Sequence, residues 1–141
     1  MGFKPLSLMQ HIKSTKGFDK ILRKVNILSM ENGNGLAELT IAEEHTNLMG
    51  TLHNGFSALL VDHISSFALT THKAGDFPHV SINMHLTYYR TANLGDTIQI
   101  TSKAVSVGQT LAFLDVLIKN KSTSDLIVKA SHTAYITRHS W

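Results

Sequence analysis

A long apolar segment that contains a single carboxylate dominates the sequence. Residues 47–73 read NLMGTLHNGFSALLVDHISSFALTTHK, and between His45 and His72 the only formally charged side chain is Asp62. A helix that is apolar around most of its circumference is normally buried, so the segment predicts a central helix that begins near His53. An unpaired carboxylate is expensive to bury. Asp62 therefore either has a structural partner or is retained for chemistry.

Length and composition narrow the class of protein. The 141 residues suffice for one domain, 1–141, and a hydrophobic content of 43% with 16% charged residues is typical of a globular chain. The absence of cysteine excludes disulfides and thiolate chemistry. A net charge of +3 fits an anionic ligand such as a nucleotide-bearing cofactor, but the scattered Lys and Arg residues argue against nucleic acid.

The termini and the longest apolar runs bear on location. No run approaches the ~20 residues that cross a bilayer, and the start lacks the apolar region of a secretory signal. We expect a protein without a membrane span, located in the cytoplasm or the mitochondrion.

Periodic patterns on either side of the apolar segment predict strands. Before it, residues 1–24 read as a helical cap and Asn32-Gly33 as a hairpin turn. After it, the alternation from Val80 to Tyr89 begins four strands that are joined by short turns and are therefore antiparallel. A sheet with one buried helix packs by curling around it. The prediction is an α+β hotdog fold, in which a curved antiparallel sheet wraps a helix of roughly 30 Å.

Two features of the helix suggest a site shared by two chains. His53 and Asp62 are nine residues apart and so point to opposite sides. Asp62 lies near the small residues Ala58, Ser65 and Ser66, which would let a second copy approach. A two-fold dimer would place the acid of one chain opposite the His53 end of the other.

The start of the helix suits a carbonyl substrate. Its first N–H groups lack internal partners and the helix dipole makes this end partly positive, while Gly55 allows a ligand close to the backbone. A carbonyl oxygen at the Asn54 N–H would be polarised as in an oxyanion hole. Asp62 could then activate a water or attack directly.

Metal and serine-nucleophile chemistry are disfavoured. His53, His63 and His72 do not share one helix face and no HxxxH pairing occurs, so we expect no metal site. Ser57 lacks the G-x-S-x-G elbow of serine hydrolases. We interpret His63 as a hydrogen-bonded core residue.

Four motifs carry a resemblance that spans nearly the whole chain. HTNxxGTLHNGFxAxLVDxxSxxA from His45, VSINMHLTYYR from Val80, LGD from Leu94 and VGQTLAF from Val107 resemble the hotdog acyl-CoA thioesterases of the phenylacetyl-CoA type. The resemblance implies hydrolysis of fatty or aryl acyl-CoA in lipid metabolism, without a cofactor because coenzyme A belongs to the substrate. It also implies a homotetramer built from two dimers.

The resemblance also assigns roles to residues. Asn47 and the Asn54 N–H would hold the thioester oxygen. His53 would lie beside the leaving group, and Asp62 and Ser81 of the neighbouring subunit would position and activate the water. The coenzyme A groove would be lined by two segments and one further tyrosine: Tyr88, Tyr89, Arg90, Thr91, Ala92 and Asn93; Ser106, Val107, Gly108, Gln109, Thr110 and Leu111; and Tyr135.

The sequence departs from the family at several of these positions. Asn54 stands where the family commonly has Gly, and Ser106 and Gln109 lie in a hairpin that is usually more basic, so that Arg90 and Lys103 are the nearest basic substitutes. Two other activities stay open: an acyl-thioester dehydratase or hydratase, and a non-catalytic acyl-CoA-binding module, which a pocket blocked by Asn54 would favour.

Overall fold

Two α-helices, two short 3₁₀ helices and six strands make up the described part of the chain, which is residues 5–139 of a computed structural model. Residues 1–4 of the predicted cap and 140–141 of the predicted domain lie outside it. The elements are α1 (Pro5–Ser14), a 3₁₀ helix (Phe18–Leu22), β1 (Asn26–Glu31), β2 (Asn34–Thr40), a 3₁₀ helix (Glu43–His45), α2 (Asn54–Leu69), β3 (His79–Tyr88), β4 (Thr97–Val107), β5 (Leu111–Asn120) and β6 (Leu126–Ile136).

The six strands form one antiparallel sheet in the order β1-β2-β4-β5-β6-β3. Helix α2 contacts every one of the six strands. Laid flat, a sheet of this size would be roughly 24 Å wide, more than twice the diameter of a helix. The sheet must therefore curve around α2, as predicted.

The main core lies between α2 and the concave face of the sheet. Phe56, Leu60 and Ile64 point from the helix into it, and Ile100 and Val116 meet them from the sheet. Each fully buried aliphatic or aromatic side chain contributes about 1.5–3 kcal/mol. A smaller cluster under the carboxyl end of α2 contains Leu69, Ala112, Leu114, Ala134 and Ile136. Together they fix the helix relative to the sheet.

Helix α2 is shorter than predicted. It has 16 residues and is therefore about 24 Å long, rather than roughly 30 Å. It ends at Leu69 because two threonine hydroxyls take its last carbonyl groups, Thr70 Oγ1 donating to Phe67 O and Thr71 Oγ1 to Ala68 O. The helix thus occupies only the middle of the apolar segment.

The hairpin turn between β1 and β2 has the predicted geometry. Asn32 and Gly33 both have positive φ, 52° and 84°, as a two-residue hairpin loop of this type requires. The Gly33 N–H donates to Thr71 Oγ1 over 2.9 Å. A Cβ on Gly33 would come within 2.8 Å of the Ala104 Cβ, so the turn is packed tightly against the end of α2.

The amino-terminal segment docks on α2 through its first 3₁₀ helix. Leu22 is buried in the main core, and Asp19 Oδ1 lies 3.2 Å from His63 Nε2. The interpretation of His63 as a core residue is therefore wrong. Its side chain lies at the helix surface, 20% exposed, because the sheet covers the opposite face of α2.

Candidate active site

The face of α2 that the sheet leaves uncovered carries the candidate acid. Gly55, Leu59, Asp62 and Ser66 are spaced i, i+4, i+7 and i+11 and so share this face. The Asp62 side chain is 36% exposed and borders a cleft of about 290 Å³, which Thr70 and other residues also line. The carboxylate is thus accessible from a concave surface.

Ser81 fixes the orientation of this carboxylate. Its Oγ donates to Asp62 Oδ1 over 3.1 Å, and it comes from the start of β3, where the pairing with β6 is irregular between Ser81 and Asn83. The two residues predicted to activate water are thus adjacent in one chain. The second oxygen, Asp62 Oδ2, accepts no hydrogen bond within residues 5–139.

A buried histidine that sequence reasoning missed completes the network. His132 Nε2 lies 2.7 Å from Ser81 Oγ and 3.8 Å from Asp62 Oδ1, while its Nδ1 lies 2.7 Å from Ser65 Oγ. One signal could have identified it. In the alternation of β6, His132 falls between Ala130 and Ala134, on the inward face where an unpaired polar group is costly.

Burial keeps the His132 ring neutral. Desolvation lowers the pKa of His132, and the nearby negative charge of Asp62 opposes that shift only in part. A neutral imidazole carries one N–H. If Nε2 carries the proton, it donates to Ser81, whose own hydroxyl proton is then directed to Asp62. Ser65 must in that case donate to Nδ1 rather than to its alternative acceptor, the Val61 carbonyl 2.7 Å away. The carboxylate favours this arrangement because hydrogen bonds to a charged acceptor are the stronger ones.

The start of α2 presents an unused N–H. His53 is the N-cap, and its Nδ1 accepts from the Gly55 N–H over 2.9 Å, so a neutral His53 ring carries its proton on Nε2. The Asn54 N–H has no acceptor among residues 5–139. His53 and Gly55 border an apolar cleft of about 320 Å³ with Phe18 and Leu59. A polar group bound at the first residue of α2 would meet the positive end of the helix dipole.

Asn47 organises the loop that precedes α2. Its Oδ1 accepts from the Met49 and Thr51 N–H groups, and its Nδ2 donates to Thr51 Oγ1 over 2.9 Å. Asn47 and His53 line a wider cleft of about 760 Å³. The structure thus places Asn47 beside the helix start. One of its two Nδ2 hydrogens is donated to Thr51 in the same loop, and the other has no acceptor within residues 5–139.

Two further histidines are held neutral near the site. Burial lowers the pKa of His79, which lines the cleft of Asp62; its hydrogen bond to the Phe77 carbonyl and the Asp62 charge oppose the shift. Burial likewise lowers the pKa of His45, whose ring stacks on Phe56 with centroids 4.6 Å apart. Neither residue was predicted to belong to the site.

The structure separates the two predicted parts of the coenzyme A groove. The segment 88–93 lies at the helix start, where Tyr88 Oη donates to the Asn54 carbonyl and Leu52 N donates to the Ala92 carbonyl. The segment 106–111 lies at the other end of the sheet, where Leu111 pairs with Tyr135. The ten residues of β3 span the distance between them, which is about 33 Å. One chain alone therefore does not bring these segments together.

Neither a metal centre nor a membrane helix is found in the described residues. Within residues 5–139, no three His, Asp or Glu side chains are grouped in a way that could hold a metal ion. No helix in the same range is long and apolar enough to cross a membrane.

Comparison with known proteins identifies the family. The family model described as Thioesterase superfamily matches residues 49–127. The chain belongs to the Thioesterase superfamily. It is 41% identical over 133 residues to human acyl-coenzyme A thioesterase 13, covering 92% of this chain and 94% of that protein.

Solved structures of this superfamily agree with the fold. The zebrafish thioesterase superfamily member 2 structure is similar with a TM-score of 0.88 and 37% identity over 95% of this chain and 99% of that chain. The mouse protein of the same name gives a TM-score of 0.84 and 38% identity over 96% and 98%. The predicted family, the hotdog fold and the predicted enzyme class, a thioester hydrolase, are confirmed.

The extent of the Thioesterase superfamily match is informative about the site. It includes Asn54, Asp62 and Ser81 but ends at residue 127, early in β6. His132 lies beyond it. The last strand therefore contributes to the network around Asp62 through a residue that the matched region does not contain.

Proposed function

We propose that this thioesterase hydrolyses acyl-CoA to a free carboxylic acid and coenzyme A. The observation that carries the proposal is the accessible Asp62 carboxylate, which Ser81 orients at the border of a cleft. No Lys or Arg of residues 5–139 pairs with this carboxylate, so it is available to a water in the cleft. The relatives named acyl-coenzyme A thioesterase 13 support the same substrate class.

The reaction needs a base for water. Asp62 Oδ2 accepts one proton from the water while its oxygen attacks the thioester carbon. Ser81 holds Oδ1, and the His132 N–H in turn keeps the Ser81 proton directed to the carboxylate. A carboxylate held in this orientation can act as a general base towards a water bound at Oδ2.

The thioester oxygen becomes negatively charged when water adds. The Asn54 N–H and the amino end of α2 would stabilise that charge, and the Asn47 amide would add a second donor. A preorganised donor of this kind lowers the activation barrier by about 2.7–4 kcal/mol. Collapse of the tetrahedral intermediate then breaks the C–S bond.

The leaving thiolate must be neutralised. With Nδ1 occupied by the Gly55 N–H, a neutral His53 ring presents its Nε2–H to the sulfur as a hydrogen-bond donor, which stabilises the thiolate. The proton that Asp62 took from water reaches the thiolate through solvent. The balance is one thioester and one water converted to one acid and one thiol.

Two protomers would complete the site. In the described chain β3 is an edge strand, and its Val80 and Ile82 side chains are 59% and 53% exposed. Long apolar edges are usually covered by pairing. Antiparallel pairing of β3 with a second β3 would bring the helix start of one chain towards Asp62 of the other and join the two parts of the coenzyme A groove. Two such dimers would make the tetramer that the family resemblance implies.

Release of thiol from acyl-CoA tests the proposal. Asp62→Asn keeps the size of the side chain and an acceptor for Ser81 but removes the base, so kcat should fall at least about 1,000-fold while the thermal midpoint stays close to that of wild type. Ser131→Ala, an exposed change on the outer face of β6, is the matched control.

Product analysis separates the other activities. Mass spectrometry of the wild-type reaction should find the free acid and coenzyme A. An intact thioester with an altered acyl chain would instead indicate a dehydratase or hydratase. Binding of acyl-CoA without turnover would indicate a binding module, and either result would refute the proposal.

A further inference from the structure

Arg138, which follows β6, connects three segments at the end of the sheet that holds the hairpin between β4 and β5. Its Nε donates to the Gln109 carbonyl, its Nη2 to the Gly108 carbonyl over 2.7 Å, and its Nη1 to the Ala74 carbonyl over 3.1 Å. The guanidinium also lies 4.9 Å from the centre of the Phe77 ring, within range of a cation–π interaction. All three nitrogen atoms of the Arg138 guanidinium thus donate to backbone carbonyl groups.

These contacts determine where the N–H groups of the hairpin point. The carbonyl of Gly108 and the N–H of Gln109 belong to one planar trans peptide, so they point in opposite directions. The same holds for the carbonyl of Gln109 and the N–H of Thr110. Because Arg138 holds both carbonyls, both N–H groups are directed away from it. Neither has an acceptor among residues 5–139.

We propose that Arg138 is a positioning residue for coenzyme A, holding the hairpin so that the Gln109 and Thr110 N–H groups donate to a phosphate of the substrate. The inference rests on the proposed function, because it takes residues 106–111 to line the coenzyme A groove. Successive backbone N–H groups form anion-binding concavities. A cation on the carbonyl side polarises each peptide and strengthens its N–H as a donor.

The inference accounts for a departure noted in the sequence. The hairpin has Ser106 and Gln109 where the family is more basic, so it offers a phosphate no cationic side chain of its own. Arg138 would supply the positive charge from behind the hairpin, through the peptide groups. It would not touch the substrate.

A pair of substrates distinguishes this role from general support of the fold. Arg138→Ala should raise KM for acyl-CoA about tenfold, the cost of one charge-assisted hydrogen bond, and leave kcat unchanged. KM for the matching acyl-pantetheine, which has no phosphate, should not change. Arg138→Lys should recover only part of the loss, since an ammonium cannot bridge two carbonyls with a planar fork.

Arg23→Ala is the control, because Arg23 pairs with Glu44 in another part of the chain. Equal effects of Arg138→Ala on both substrates would mean a structural role only and would overturn the inference. So would an unchanged KM for acyl-CoA, or complete recovery by lysine.

Calorimetry keeps the inference testable if the proposed function fails. Should wild type hydrolyse neither substrate, Arg138→Ala should still weaken binding of free coenzyme A about tenfold without affecting pantetheine. Equal binding of coenzyme A by wild type and variant would refute the positioning role independently of catalysis.

Discussion

The first residue of α2 allows a backbone N–H to be deleted without disturbing the helix. Proline is well tolerated at the first helical position, where its missing N–H has no helical partner. The preceding His53 has φ −67° and ψ 127°, which suits a residue before proline. Asn54→Pro should therefore fold normally, yet lower kcat about 100-fold if the N–H stabilises the oxyanion.

Asn54→Ala is the comparison for this variant, because it changes the same side chain and keeps the N–H. It should retain most of kcat, and the thermal midpoints of the two variants should be similar. Equal activity of the proline and alanine variants would exclude the Asn54 N–H from catalysis.

At the residue scale, the sequence singles out Asp62 but gives no sign that His132 is its neighbour. Asp62 is the only charge in a long apolar segment, so its anomaly is visible without a structure. His132 is separated from Asp62 by 70 positions, and their contact depends on the register of β6 on β3. Helical spacing predicts that Asp62 and His53 lie on opposite sides of α2, but only the sheet pairing brings in Ser81.

At the scale of the elements, local sequence patterns determine which segments are helices or strands. The ends of these elements depend on individual side-chain contacts that the patterns do not predict. The strand alternation and the Asn32-Gly33 turn are local signals, and both predict the observed structure. The end of α2 depends on which threonine hydroxyls take carbonyl groups. The curvature of the sheet follows from hydrophobic packing around α2, which is not encoded in any one strand.

Two glycines with similar φ angles allow the cost of backbone strain to be measured separately from the cost of a steric clash. Gly33 and Gly95 have φ of 84° and 91°, but a Cβ would meet Ala104 at 2.8 Å only at Gly33 and has open space at Gly95. Gly95→Ala should cost about 1–2 kcal/mol of unfolding free energy from the left-handed backbone. Gly33→Ala should cost about 1–3 kcal/mol more.

Urea denaturation of both variants measures this difference. The β1–β2 turn is tight as described only if Gly33→Ala is clearly the less stable of the two. Equal midpoints would mean that the hairpin moves away from Ala104 at little cost.

At the scale of the whole molecule, a site shared between chains predicts complementation. Asn54→Pro and Asp62→Asn should each be nearly inactive alone. Refolded together in equal amounts, half of the dimers are mixed and each mixed dimer has one intact site, so roughly a quarter of wild-type activity should return. A site contained within one chain would give none.

Two controls accompany the mixing experiment. Mixing without unfolding should leave activity low if the dimers exchange slowly, and sedimentation should find the same oligomer in all samples. If activity recovers without unfolding, the rate of subunit exchange between dimers must be measured before the recovered fraction of activity is interpreted.

Stability should fall in mildly acidic solution because burial lowers the pKa of three histidines, two of them fully buried and one partly buried. Burial holds the pKa of His45, His79 and His132 below the ordinary value, whereas in the unfolded chain they titrate near about 6.5. Between the folded and unfolded pKa values the unfolded state binds more protons. The unfolding free energy should therefore be flat above about pH 7 and decrease as the pH falls below about 6.5.

Urea denaturation midpoints of wild type, His132→Gln and His85→Gln, measured across this pH range, test whether the buried histidines cause the loss of stability. Loss of the buried His132 should reduce the slope of the profile, with His45 and His79 retaining the rest, while the exposed His85 on β3 should not matter. Glu38 and Glu44, whose pKa values are lowered by hydrogen bonds from Lys121 and Lys24, lose their contribution only below about pH 4.5. A flat profile down to pH 5 would contradict the assignment.

The docking of the first 3₁₀ helix has a practical consequence for work with this protein. Phe18, 75% exposed, forms one wall of the cleft that contains His53 and Gly55, and the bond between Asp19 and His63 keeps that wall in place. The position of the first 3₁₀ helix thus affects the width of this cleft. In activity measurements an amino-terminal tag should therefore be removed, because this segment borders the cleft at the start of α2.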